Sequence, residues 1–314
     1  MAKIIWIAWE KQRRTTELAK EFKAKLYQLD YKLPRTFRYL ICIYKTLKIL
    51  KKERPKYLFV QNPSIFLAAV AVLLRKNFKV VVDTHTSILN RELQKIFRPL
   101  TKYIIKNADL TIVTNENIKH IIETKGGKAF VLPDKIPLFA KSKINLKKPS
   151  VLFISTFAND EPFEEVIKAA KKQEDIFIYI TGNTKKFPKK AFKEVPSNVI
   201  FTGFLSDKDY IKMLNSVDVV MDLTRMEDCV LCGAYEAVAV EKPLITSNKR
   251  VLKNFFNKGT VHVNNTAEGI AKGISYALKN TKKLTLGIKI LKAQRKKEWQ
   301  NQFKALSKLI GKLN

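Results

Sequence analysis

The chain of 314 residues is short of acid, of cysteine and of long apolar runs. Only 28 Asp and Glu stand against 60 Lys and Arg, which leaves a formal charge of +32 at neutral pH. A surface of that sign draws polyanions: nucleic acid, an anionic membrane face or phosphorylated substrates. No helix-turn-helix, zinc-finger or aromatic RNP-like pattern accompanies the charge, which argues against nucleic acid. The three cysteines, Cys42, Cys229 and Cys232, are too few for a disulfide framework and point to a reducing compartment. Cys229 and Cys232 have the spacing of half a zinc site, yet no second pair or neighbouring histidine completes it, so no metal is expected. The longest apolar run, 65–74, is about half the length of a bilayer span. MAKIIWIAW followed at once by charge lacks the apolar core and cleavage site of a signal peptide. The expectation is a soluble or peripheral protein of the cytoplasm.

What is present is a globular chain, 46% hydrophobic, long enough for two cores. Short apolar strands alternate with helical periodicity. In the first half the strands are 4–9, 57–61, 78–83 and 110–113. Residues 133–149 hold three prolines and no period, and mark a boundary. Beyond it come strands 151–155, 176–181, 199–202, 217–222, 244–246 and 261–263. This alternation predicts an α/β fold with doubly wound parallel sheets. The division is 1–140, 141–282 and a basic C-terminal helix, 283–314, whose Trp299 and Phe303 could cross back onto the first domain. Residues 36–52 read as an amphipathic basic helix with Phe37, Leu40, Ile41, Tyr44, Leu47 and Leu50 on its apolar face. That face meets the core or, given Arg38, Lys45, Lys48 and Lys51, an anionic membrane surface.

Residues 217–247 carry the densest chemistry. A strand, 217–222, leads through an acidic loop holding Glu227 and Asp228 into a helix that opens near Gly233. Glu236 falls about one turn inside. The unpaired N–H groups and partial positive charge of a helix mouth suit a phosphate, and a carboxylate one turn in can accept from two vicinal ribose hydroxyls. A second anion site, for acceptor or phosphate, is expected at Arg13, Arg14 and Thr15, with Thr15 or Thr16 capping the helix after the first strand. Asp83 and His85 point the same way if their strand stays extended.

The run from Asp228 through Glu236 to Lys242-Pro243 resembles the EX7E segment of glycosyltransferase family 4 and related GT-B enzymes. PSVLFISTFANDEPFEEVIKAA, IYITGN and NVIFTGFLSDKDYIKMLNSVDVV resemble successive parts of that family's donor domain. KVVVDTHTS resembles the strand that ends in a histidine contacting the donor sugar. With YLFVQNPS and VLPDK it is also similar to the chitobiosyl-diphosphodolichol β-mannosyltransferase branch. The resemblance extends over residues 1–282 and implies a GT-B fold, in which two Rossmann-like domains face each other across a cleft. It implies an acceptor domain over 1–140 and a donor domain over 141–282.

Glu236 would hold the donor ribose, with Gly182, Asn183 and Thr156 lining the donor site. Asp228, or Glu227 one residue out of register, would meet the sugar together with His85. Asp83 is a candidate base for an inverting reaction, or a residue that orients His85 or caps the next helix. Family 4 implies retention; the mannosyltransferase branch implies inversion. The usual Gly-Arg and following Lys that neutralise the diphosphate are replaced by Ser155-Thr156 and the acidic Asp160-Glu161. Arg225, Lys249 and the backbone at Gly233 are therefore expected to meet the diphosphate. The usual glycine-rich loop after the first strand gives way to Arg13 and Arg14.

The implied activity is metal-independent glycosyl transfer from a UDP- or GDP-type sugar nucleotide, with no further cofactor. Its partners would be that nucleotide-sugar, a glycan or lipid-linked acceptor, and an anionic membrane surface on the cytoplasmic side. The rivals are a basic nucleic-acid-binding protein and a GT-B domain that binds nucleotide or glycan without turnover.

Overall fold

The computed structural model describes residues 3–62, 64–84, 97–186 and 195–313. The chain divides into two compact units, Met1–Lys135 with Glu298–Asn314, and Ile136–Lys297.

In the first unit the strands are β1 (Ile4–Ala8), β2 (Lys25–Gln28), β3 (Tyr57–Asn62), β4 (Lys79–Thr84), β5 (Leu110–Val113) and β6 (Ala129–Val131). They form one parallel sheet in the order β2-β1-β3-β4-β5-β6. Because successive strand residues face opposite ways, Ile5 and Ile7 enter one core and Trp6 the other. The first core lies under α2 (Arg35–Glu53), α3 (Ile65–Leu73) and α4 (Arg98–Asn107). The second lies under α1 (Arg13–Glu21) and the end of the chain, where Trp6 stacks on Phe59 at 4.9 Å and Phe22 meets Phe303 at 4.7 Å. A further helix, α5 (Glu116–Thr124), covers β5 and β6, with Asn115 accepting from Ile118 N–H as its cap.

The second unit repeats the plan with β7 (Ser150–Phe153), β8 (Phe177–Thr181), β9 (Val199–Gly203), β10 (Val219–Asp222), β11 (Leu244–Ser247) and β12 (Thr260–Val263). Its parallel order is β12-β11-β10-β7-β8-β9. Its helices are α6 (Phe163–Ala170), α7 (Asp207–Ser216), α8 (Cys232–Ala239), α9 (Arg250–Phe255) and α10 (Ala267–Lys279). Ser206 and Thr266 cap α7 and α10 by accepting from Asp209 and Gly269 N–H. The last helix, α11 (Thr281–Gly311), belongs to the second unit through Lys297 and to the first from Glu298. There Trp299 stacks on Phe303 and its indole N–H donates to Pro133 O at 3.1 Å. No described helix is long and apolar enough to cross a membrane.

Of the two readings of the apolar face of α2, the core-facing one does not hold for most of the stripe. Its core side is made by Cys42, Thr46 and Leu50, with Tyr39, Ile43 and Ile49 packed alongside, and Trp9 donates to Thr46 Oγ1 at 3.1 Å. Of the stripe read from the sequence only Leu50 is buried and Ile41 is half-buried, whereas Phe37, Leu40, Tyr44 and Leu47 face outward. The helix carries two apolar stripes, and the sheet takes the one with the smaller side chains at Cys42 and Thr46.

Candidate active site

The strand order of the second sheet reverses between β7 and β10, and a parallel sheet binds ligands beyond the carboxyl ends of its strands at such a point. The residues that leave this crevice are Ser155 to Glu161 after β7, Gly182 and Asn183 after β8, and Leu223 to Leu231 after β10.

Asp222 ends β10 and is buried. Its Oδ2 accepts from Ala234 N–H at 3.0 Å, so a carboxyl group already occupies the mouth of α8. Gly233 is required for this approach, since a Cβ there would stand 2.5 Å from the same oxygen. The expected role of the Gly233 backbone is corrected accordingly: its helix mouth is filled from below by Asp222. Burial pushes the Asp222 carboxyl well above its usual range, the charges of Glu236 and Glu161 push it further, and the N–H groups of Ala234 and Gly233 partly offset this.

A carboxyl raised on folding binds its proton more tightly in the folded state, so its contribution to stability declines as pH climbs from about 4. Asp222→Asn keeps an acceptor for Ala234 and removes the charge. In urea denaturation the stability of Asp222→Asn relative to the unsubstituted chain is expected to be higher at pH 8 than at pH 4. An advantage that shrinks over that range contradicts the assignment.

The loop after β7 is organised around another acid. Glu161 accepts from Ser155 Oγ at 2.6 Å, Thr156 N–H at 2.9 Å and Thr156 Oγ1 at 2.8 Å. Thr156, expected to meet the donor, thus holds a carboxylate. Arg225 does not stand open toward a diphosphate: its Nη1 donates to the carbonyls of Glu161 at 2.7 Å and Asn159 at 3.3 Å, and its N–H to Asp160 O at 2.6 Å. Thr224 Oγ1 donates to Asp160 Oδ2 at 2.9 Å, which ties the β10 loop to the β7 loop a second time. Gly182 has φ +112°, and a Cβ there would lie 2.5 Å from Ser155 O, so only glycine lets β8 turn beneath this loop. Exposed Asn183 accepts from Lys185 N–H at 3.1 Å and rims the crevice.

Glu236 lies in the second turn of α8, buried, with the Tyr210 hydroxyl of α7 donating to its Oε2. Lys249, also expected at the diphosphate, pairs with exposed Glu227. Asp228 is half-buried in the same loop. Burial and the charges of Asp222 and Asp160 push the Cys229 thiol up to about 12, so it is a poor thiolate at neutral pH. Both Cys229 and Cys232 are unbridged.

In the first unit Arg14 is not a ligand cation. Its guanidinium is buried and donates to Asp83 through Nε at 3.0 Å and Nη2 at 2.9 Å. It also donates to Asp134 Oδ1 at 2.5 Å and to Leu132 O at 2.9 Å. Burial alone would lower its pKa, but the two carboxylates more than reverse this and it stays charged. Asp83, fully buried in this clamp, is poorly placed to be a general base; it joins β4 to α1. Arg13 is exposed at the start of α1, which is preceded by Gln12, so neither Thr15 nor Thr16 is its cap. Thr15 is buried inside the first turn. His85 lies outside the described residues.

The sequence reading passed over Gln61, Asn62 and Ser64. They are buried at the carboxyl end of β3, where the first sheet reverses its order, and Gln61 Nε2, Asn62 Oδ1 and Ser64 Oγ have no hydrogen-bond partner among the described residues. The signal was present in YLFVQNPS, where two amides and a hydroxyl follow an apolar strand.

The family model for glycosyl transferases group 1 matches residues 134–291, and that for Glycosyltransferase Family 4 matches residues 9–136. No curated protein matches the chain. Similar solved structures include sucrose-phosphate synthase from Thermosynechococcus elongatus, with 14% identity and a TM-score of 0.79 over 100% of this chain and 99% of that one. Anabaena HepE in complex with UDP and glucose gives 12%, 0.76, 99% and 100% in the same order. A glycosyltransferase from Rickettsia africae gives 14%, 0.68, 98% and 89%. At these identities the likeness is one of fold, and it extends over both sheets. Since the group 1 model alone takes in half of the sequence and the second model adjoins it, the chain belongs to the group 1 glycosyl transferases and has their two-domain GT-B architecture.

Proposed function

We propose that the second unit binds a nucleoside diphosphate sugar at the β7–β10 crevice and transfers its sugar to an acceptor taken by the first unit. The acceptor is a glycan, carried on a lipid at the cytoplasmic face of a membrane. The observation that carries the reading is the Glu236 carboxylate, placed in the second turn of α8 and already accepting from a hydroxyl, that of Tyr210. A ribose diol can take that place, giving two hydrogen bonds to the carboxylate. HepE, of the same fold, is described in complex with UDP and glucose, which supports uridine diphosphate as a probe.

As the diphosphate departs, positive charge is needed beside it. Lys249 supplies it by leaving Glu227, an exposed pair whose loss costs about 0–1 kcal/mol. Arg225 adds to the field from the neighbouring loop, and Asp228 meets the sugar. The reaction takes no metal or further cofactor, so a chelator leaves its rate unchanged.

A second reading is favoured by one feature. Glu161 puts a carboxylate on the Thr156 N–H and the Ser155 and Thr156 hydroxyls, groups that could otherwise receive a phosphate. A chain locked in this state binds nucleotide or glycan without turnover.

Thermal melting with UDP, GDP and their sugars tests the first reading. Ligand at a hundred times its Kd is expected to stabilise by about 2.7 kcal/mol. If none of the four raises the melting temperature, the reading is lost. A shift without consumption of the sugar nucleotide, across a panel of acceptors, selects the second.

A further inference from the structure

Four large apolar side chains stand along one stripe of α2 at spacings of three and four residues. Phe37, Leu40, Tyr44 and Leu47 are 65%, 63%, 61% and 43% exposed. Folding of the unit does not account for them, because the opposite side of the helix already supplies its core through Cys42, Thr46 and Leu50. The polar residues around the stripe have one sign. Arg35, Lys45, Lys48, Lys51 and Lys52 are exposed on the same helix, and no acid occurs between Tyr31 and Lys52. Glu53, which follows, is turned inward and engaged by Lys3, Lys25 and Tyr27.

We propose that this face of α2 docks on an anionic lipid bilayer, with Phe37, Leu40, Tyr44 and Leu47 entering the interface and the lysines meeting lipid phosphates. A helix lying in an interface needs this combination of apolar stripe and cationic flank. A second copy of the chain is the poorer occupant: an isologous contact would set Lys48 and Lys51 against their own kind on chains that each carry +32. An anionic surface reverses that repulsion, and each lysine near it strengthens binding about fivefold. The proposal deepens the reading of a lipid-linked acceptor and rests on it for its purpose. Vesicle binding is nevertheless measured without donor or acceptor, so the two can fail separately.

The test is co-sedimentation of the full chain with phosphatidylcholine vesicles, with and without phosphatidylglycerol, at low and high salt. Binding is expected only with phosphatidylglycerol and is expected to weaken with salt. The variant Phe37→Ser/Leu40→Ser/Tyr44→Ser/Leu47→Ser is expected to keep its melting temperature and bind at least tenfold more weakly. Lys282→Gln/Lys283→Gln, exposed on α11, is expected to bind as the unsubstituted chain does. The proposal is overturned by equal binding to both vesicles, by undiminished binding of the serine variant, or by an equal loss in the α11 variant. It is also overturned if light scattering finds an oligomer that the serine substitutions dissociate, since the face then serves a protein contact.

Discussion

Replacing Arg14 with methionine is expected to destabilise the chain by about 3–5 kcal/mol, the cost of leaving a buried charge without its partner. Asp83 is 0% exposed on its side chain, so it cannot turn to water without disturbing the end of β4, whereas Asp134, 23% exposed, already meets solvent. A loss of that size is a large part of an ordinary domain stability of about 5–15 kcal/mol. Urea denaturation measures it. Adding Asp83→Asn to Arg14→Met is expected to restore part of the loss, because the stranded charge is removed with it. Destabilisation below about 1 kcal/mol, with no rescue, would mean that the clamp is a surface pair in disguise.

The second large effect concerns Glu236. Glu236→Gln keeps a carbonyl to accept from Tyr210 and removes the negative charge offered to a ribose diol. Hydrogen bonds to a charged group contribute about 1.5–3 kcal/mol, so kcat/KM for the sugar nucleotide is expected to fall roughly 100-fold with the melting temperature of the free chain little changed. Tyr210→Phe separates the two roles of the carboxylate. It removes the internal donor while leaving Glu236 charged, and is expected to preserve transfer. If Glu236→Gln transfers sugar at the original rate, the carboxylate serves only to anchor α7 to α8.

Much of this arrangement was legible in the chain. The buried strands showed as short apolar runs, and the alternation with helices led to two parallel sheets. The edge strands β2 and β6 did not show. KLYQ sets two half-buried residues between an exposed lysine and an exposed glutamine, and β6 is three residues with no fully buried member, so neither presents the apolar run that marks a central strand. The acids of the crevice were legible as a motif, Asp228 to Glu236, but their partners were not. The fate of Arg14 depends on Asp83, 69 positions away, and on Asp134, 120 away, which only the sheet brings together. Asp222 was read as a strand end, and its position under α8 follows from the missing Cβ at Gly233. Whether the stripe of α2 meets the core or the surface was not legible, because a helix with two apolar stripes gives the same periodicity from either side.

These particulars converge on the exchange of cations for acids after β7. Where family 4 enzymes usually place Gly-Arg, this chain folds Glu161 onto Ser155 and Thr156 and uses Arg225 to hold the loop in place. In the proposed reading a donor diphosphate therefore relies on Lys249 exchanging one anion for another.

Crystals of the full chain soaked with UDP or GDP test the central claim most directly. The account predicts the nucleotide in the β7–β10 crevice, its ribose hydroxyls within hydrogen-bond distance of Glu236 and Lys249 swung from Glu227 toward the diphosphate. A nucleotide bound elsewhere, or one in the crevice whose ribose does not reach Glu236, would contradict it.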